Sequence, residues 1–200
     1  MGLSVPAVAV NFGAAELSDP DLAERVLRLL AQAGLPPERL IVEVLETVIS
    51  RPPSKAIGTT LAALSQAGCR VDLDDFEGTS ACISALRTLP VNRVKIDRSL
   101  VHGVEDDICQ QNHTAGIIAL AKGLGLGVLA EGTETPGEMS ILTKLGCDHI
   151  QGFCIAGPMP QEQATDWIRR KFGNPPPDPE ILTDIALSGR DSPISTGKTA

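Results

Sequence analysis

RVDLDDFEGTSACISALRTLPVNRVKID, residues 70–97, decides the fold. It opens on a strand-like run, RVDLDD (70–75), crosses small residues with helical spacing (80–88), and returns to a second run, NRVKID (92–97). Strand, helix and strand in so little chain describe two parallel strands joined by a crossover. The unit repeats in both directions. Before it stand strands at 5–11 (VPAVAVN) and 40–46 (LIVEVLE), with helices over 19–34 and 54–67. Asp19 and Pro20 suit the first helix start, and Gly68 the second helix stop. After it come strands at 125–131 (GLGVLAE) and 149–153, with helices at 107–123, 136–145 and 161–171.

Alternation of this kind means a parallel sheet covered by helices. An open doubly wound sheet and a (β/α) barrel both fit. No G-x-G-x-x-G follows the first strand, and no G-x-x-x-x-G-K-[ST] occurs. The glycines of 123–127 precede a strand, so they read as a helix-to-strand turn. The nucleotide-binding open sheets lose ground, and the pattern predicts α/β architecture of the TIM-like barrel type. A full barrel takes about 250 residues. This chain has 200, and about six of eight strand–helix units are legible. The predicted folded body is residues 1–172. Residues 173–200, Pro-rich and then small and polar, are predicted to form a disordered tail.

Composition narrows the function. The net charge is −8, with 25 acidic and 17 basic residues, which argues against binding a nucleic acid polymer. Aromatics make up 2% of the chain, too few for a base-stacking platform. Five cysteines without a C-x-x-C pair read as reduced thiols of a cytoplasmic domain. No apolar run reaches the ~18 residues that span a bilayer.

The polar residues fall at the strand ends: Asn11, Glu43 with Glu46, Asp74 with Asp75, Lys95 with Asp97, Glu131 and Gln151. A barrel gathers all of these on one face, where active sites lie. The alternative is a salt-bridged barrel mouth. Adjacent carboxylates on a strand point to opposite sides, so one of Asp74 and Asp75 is expected at the mouth and the other in the following loop. With Asn11 and Glu43 they form an all-oxygen donor set suited to Mg²⁺ or Mn²⁺. Two such ions are a common apparatus for phosphodiester hydrolysis, with Lys95 steering water or phosphate and Glu131 accepting a proton.

At these residues the chain resembles the EAL domain, the bacterial cyclic di-GMP phosphodiesterase family. VAVNFGAAEL (8–17) is similar to the family's V-N-x-S segment, VEVLET (42–47) to E-x-T-E, and DLDDF (72–76) to D-D-F-G. LPVNRVKIDRSLV (89–101) resembles L-P-x-D-x-x-K-I-D-x-x-F-V, and LAEGTET (129–135) resembles A-E-G-V-E-T. GCDHIQGFCIAGPMP (146–160) is similar to the closing G-C-D-x-x-Q-G-[YF] stretch. The resemblance implies hydrolysis of cyclic di-GMP to linear pGpG with two Mg²⁺ or Mn²⁺ ions. Asn11, Glu43, Asp74 and Asp75 would be metal ligands, with Lys95 and Glu131 catalytic. Gln151 would lie near the metal water and substrate, Glu46 would brace the loop after the third strand, and Asp97 would stand close behind the site. Sensor or GGDEF modules joined to the domain, and a homodimer formed through open sheet edges, are further partners this reading implies.

Three departures from the family pattern stand out. The Glu-Ala-Leu segment, which in the family precedes V-N-x-S and carries a metal-binding Glu, is absent, as is the arginine that follows it. The loop D-D-F-G-T-G-Y-S-S-L reads DDFEGTSACI here, with Glu77 in place of the first Gly; if that position needs positive φ, Glu77 strains it. Phe12-Gly13 and Leu45 replace more usual residues, and Asp72 is an unusual strand charge of the same parity as Asp74. These departures predict weaker metal binding. They keep two rivals open: an inactive EAL-like module that binds cyclic di-GMP or a protein partner, and a truncated product or fragment with no function of its own.

Overall fold

The computed structural model describes residues 5–49 and 55–172. The predicted tail at 173–200 lies outside the described residues. Six strands form one all-parallel sheet: β1 (Val8–Asn11), β2 (Leu40–Leu45), β3 (Arg70–Phe76), β4 (Arg93–Ile96), β5 (Gly127–Ala130) and β6 (His149–Ile150). They lie in the order β1-β2-β3-β4-β5-β6. Crossovers in parallel sheets are almost all right-handed, so sequential order stacks every helix on one face. A doubly wound sheet reverses its order part-way and covers both faces. The result is a partial TIM-like barrel, as the sequence pattern indicates.

Alternation along the strands separates the two faces. Val42 and Val44 on β2, Val71 and Leu73 on β3, Val94 and Ile96 on β4, and Val128 and Ala130 on β5 all join one apolar cluster. They pack there with Ile57, Leu61 and Leu64 of α4 (Lys55–Gln66), Ile117, Ile118 and Ala121 of α7 (Ile108–Gly123), and Leu142 of α8 (Pro136–Lys144). The alternate residues point inward. One inner layer runs across the register as Glu43, Asp72, Arg93 and Gly127.

The helix predicted at 19–34 is observed over a shorter span, and a separate short helix precedes it. α1 (Ala14–Leu17) starts at Gly13, whose N–H donates to Glu16 Oε2 at 2.9 Å. α2 (Leu22–Gln32) starts after Pro20, and Asp19 caps from outside by accepting the N–H of Asp21 at 2.9 Å. The second predicted strand ends one residue early, because Glu46 opens the short helix α3 (Glu46–Ile49). α5 (Ser80–Leu86) follows β3, and α6 (Arg98–Val101) follows β4 with Asp97 as its cap. α7 begins where Asp107 accepts the N–H groups of Cys109 and Gln110. α9 (Gln161–Phe172) ends the described body.

Candidate active site

Lys95 sits at the centre of the inner face, its side chain 2% exposed. Its Nζ lies 2.8 Å from Glu43 Oε1, 3.0 Å from Asp74 Oδ1 and 2.5 Å from Glu131 Oε1. β2, β3 and the end of β5 each supply one of these carboxylates. Burial works against the ammonium, but the surrounding charges of Glu131, Glu43 and Asp74 outweigh it and hold Lys95 protonated well beyond an ordinary lysine. Burial also pushes the Glu43 carboxyl up, against the pull of Lys95. Burial lifts Glu131 to about 7, with Lys95 opposing and Asp74 adding to the rise. A single ammonium among so many carboxylates leaves the cluster short of positive charge, which is the electrostatic condition for drawing in a cation.

Both aspartates of β3 reach the mouth, contrary to strict alternation. Leu73 pairs with Val94, but Phe76 pairs with Ile96, so β3 carries one extra residue there. That bulge bends the strand and re-aims its side chains. Asp75 completes the turn at φ 53°, the one non-glycine residue at positive φ among the described residues. Asp tolerates this region better than most residues, at a cost of about 1–3 kcal/mol. Carboxylate oxygens of Asp74, Asp75 and Glu131 consequently lie within 4.8 Å of one another. This donor set is all hard oxygen, the kind of cluster that could hold a metal ion.

Glu46, 5% exposed, holds the loop after β3 in place. Its Oε2 accepts from the Glu77 N–H at 2.9 Å, and its Oε1 accepts from the N–H and hydroxyl of Thr79. Glu77 takes no positive φ; Asp75 and Gly78 (φ 81°) carry the left-handed positions, so the strain expected at Glu77 does not arise. Asp97 accepts from the Ser99 N–H at 2.8 Å; burial opposes its charge, but hydrogen bonds from Ser99 bring its pKa below the ordinary value.

The remaining expected residues stand at the flanks. Asn11 is the register partner of Glu43 but is exposed on the edge strand. Gln151 is half-buried, and its Oε1 is buried without a hydrogen-bond partner, as is the hydroxyl of Thr133. The two residues are joined by the Thr133 N–H donating to the Gln151 carbonyl at 3.1 Å. Gly152 is required here, because a Cβ at that position would meet the Thr133 carbonyl oxygen at 2.1 Å.

The family model for the EAL domain matches residues 2–158. This chain belongs to the EAL domain family. Among its relatives is the bifunctional diguanylate cyclase/cyclic di-GMP phosphodiesterase MucR of Pseudomonas aeruginosa, 34% identical over 156 residues, covering 78% of this chain and 23% of the relative. Cyclic di-GMP phosphodiesterase PA2567 of the same organism is 34% identical over 163 residues, 82% of this chain and 28% of the relative. The chain thus spans under a third of the length of these relatives. Among solved structures, the PaMucR phosphodiesterase in complex with c-di-GMP superimposes with a TM-score of 0.72 at 34% identity, covering 79% of this chain and 70% of that one.

Sequence reasoning about this EAL domain missed several buried polar residues. Arg93 donates through Nε to Asp72 Oδ2 at 2.9 Å, both residues buried, which gives the unusual Asp72 its partner. Glu138, 1% exposed, anchors the turn after β5. A signal for Glu138 was present in the T-x-x-E of Thr135–Glu138, a capping box, although its reach across the fold was not.

Proposed function

We propose that this EAL domain binds cyclic di-GMP and hydrolyses one phosphodiester bond to give linear pGpG. The observation that carries the reading is the cluster of Asp74, Asp75 and Glu131 around the Lys95 ammonium, at the strand ends of a barrel in this family. Asp74, Asp75 and Glu131 would hold Mg²⁺ or Mn²⁺, with Glu43 and Asn11 completing the set toward β1. The ions would neutralise phosphate charge and acidify water.

The chain's own residues do the rest. Lys95, held charged, orients an attacking water and the phosphoryl oxygens. It shares its carboxylates with whatever cation enters, so ion and ammonium divide the same negative charge. Glu131, beside Asp74 and Asp75, serves either as a further ligand or as the acceptor of the proton released as the new bond forms. Glu46 keeps the Asp74–Asp75 turn in the geometry the cluster needs. We further place the domain in the bacterial cytoplasm and joined to sensor or GGDEF modules; the greater length of its relatives supports the second of these.

A second reading is a module that binds cyclic di-GMP or a protein partner without turning it over. The exposure of Asn11 on the edge strand favours it, since the ligand set is open on that side. Incubation of the purified protein with cyclic di-GMP and Mg²⁺ or Mn²⁺ separates the two. Formation of pGpG that Asp74→Ala abolishes supports the enzyme. Tight binding without turnover supports the module, and the absence of both turnover and binding leaves only the protein-partner form of the module.

A further inference from the structure

We propose that Glu138 is a positioning residue for Glu131, clipping the β5 side of the barrel mouth to the β4 side. The carboxylate is fully buried. Its Oε1 accepts the Gly103 N–H at 2.9 Å, and its Oε2 accepts those of Glu134 at 2.7 Å and Thr135 at 3.2 Å. Burial penalises the charge, but these N–H groups outweigh it and hold the carboxyl below its ordinary value. His102, itself an exposed side chain, places its Nδ1 3.4 Å from the same carboxylate.

Glu131 opens a turn whose backbone is anchored step by step. The Glu131 N–H donates to Ile96 on β4 at 3.2 Å, and that of Thr133 donates to Gln151. The next donors, Glu134 and Thr135, both go to Glu138. Gly103 lies across the mouth, on the crossover that leaves β4 after the Asp97 cap. The same crossover sends Glu105 to accept the Thr135 hydroxyl at 3.0 Å. Gly137 makes room for that carboxylate, since a Cβ there would fall 1.3 Å from Glu105 Oε2. Glu138 thus does for β4 and β5 what Glu46 does for β2 and β3: one buried carboxylate ties two adjacent loops through backbone N–H groups. Groups that hold a reacting side chain from behind typically change activity about 10–100-fold when removed.

The kinetic arm of the test rests on the phosphodiesterase reading; the exchange arm does not. Glu138→Ala removes both acceptors, and Glu138→Gln keeps the shape and one acceptor oxygen, so it remains informative if the alanine variant fails to fold. For Glu138→Ala, kcat for cyclic di-GMP hydrolysis is expected to fall about 10-fold or more, with KM moved less. Glu138→Gln should lie between it and the unaltered protein. Amide hydrogen exchange at Gly103, Glu134 and Thr135 should speed up about 10-fold or more, while Val42 and Val94 stay protected. Unchanged exchange at those amides overturns the proposal. So does fast exchange there with an unaltered kcat, and so does a uniform loss of protection across the strands. If the unaltered protein hydrolyses nothing, the phosphodiesterase reading fails, and the exchange pattern alone decides whether Glu138 is the clip.

Discussion

Asn11 and Glu43 are register partners on neighbouring strands, yet one is exposed and the other 4% exposed. The contrast extends along both strands. Val8 and Val10 on β1 are 44% and 40% exposed, whereas Val42 and Val44 on β2 are 0% and 1%. VAVN and its register partner LIVE are both apolar runs that end in a polar residue, so local pattern does not account for the difference. Position in the sheet does: β2 has a paired strand on each side and its valines lie in the apolar cluster, while β1 is an edge among the described strands. The lesson for the site is that its charged centre, from β2 to β5, is built on buried strands. Its β1 side is exposed among the described residues, and an exposed ligand residue is screened by water and less well held.

The sharpest way to break the centre is to remove its cation. Lys95→Met leaves Glu43, Asp74 and Glu131 buried against one another, and breaking a buried pair in this way costs about 3–5 kcal/mol. Urea unfolding at neutral pH should show a loss of this size, shrinking as acid protonates the carboxylates. Arg93→Met should cost about 3 kcal/mol by orphaning Asp72, and Arg93→Met combined with Asp72→Leu should recover most of it. A double variant as unstable as the single would mean that the pair contributes more than mutual compensation.

Glu131 gives the pH dependence. Its carboxyl is raised in the folded state from 4.5 to about 7, so the folded protein binds more protons than the unfolded chain between those values. Its contribution to stability is therefore present below about 4.5 and lost as the pH rises through about 7. Thermal melts should show Glu131→Gln flattening this fall. The smallest effects contrast the two strands directly. Val44→Ala in the centre should cost about 2 kcal/mol, and Val10→Ala on the edge should stay within about 0.5 kcal/mol. Equal costs would mean that the outer face of β1 is covered in solution.

The strand–helix alternation and the row of mouth residues were legible because both follow from one-dimensional patterns: apolar runs, and a polar residue where each run ends. What depends on register was not. Asp74 and Asp75 were expected to diverge, and only the extra residue on β3 brings both beside Glu131. Asp72 stood out as a charge in a strand, but its partner Arg93 lies 21 residues away and is assigned by strand pairing alone. Glu138 showed its local cap, while its bond to Gly103, 35 residues distant, needed the crossover to fold back over α8. The exposure of β1 depends on which neighbours it has, and no feature of VAVN encodes that.

Titration of the purified protein with Mn²⁺, followed by the loss of the free-ion electron paramagnetic resonance signal, tests the central claim most directly. The account expects saturable uptake that Asp74→Asn weakens about 10-fold or more, with Val10→Ala leaving it unaltered. No uptake by the unaltered protein, or uptake indifferent to Asp74→Asn, would contradict the assignment of Asp74, Asp75 and Glu131 as a cation site.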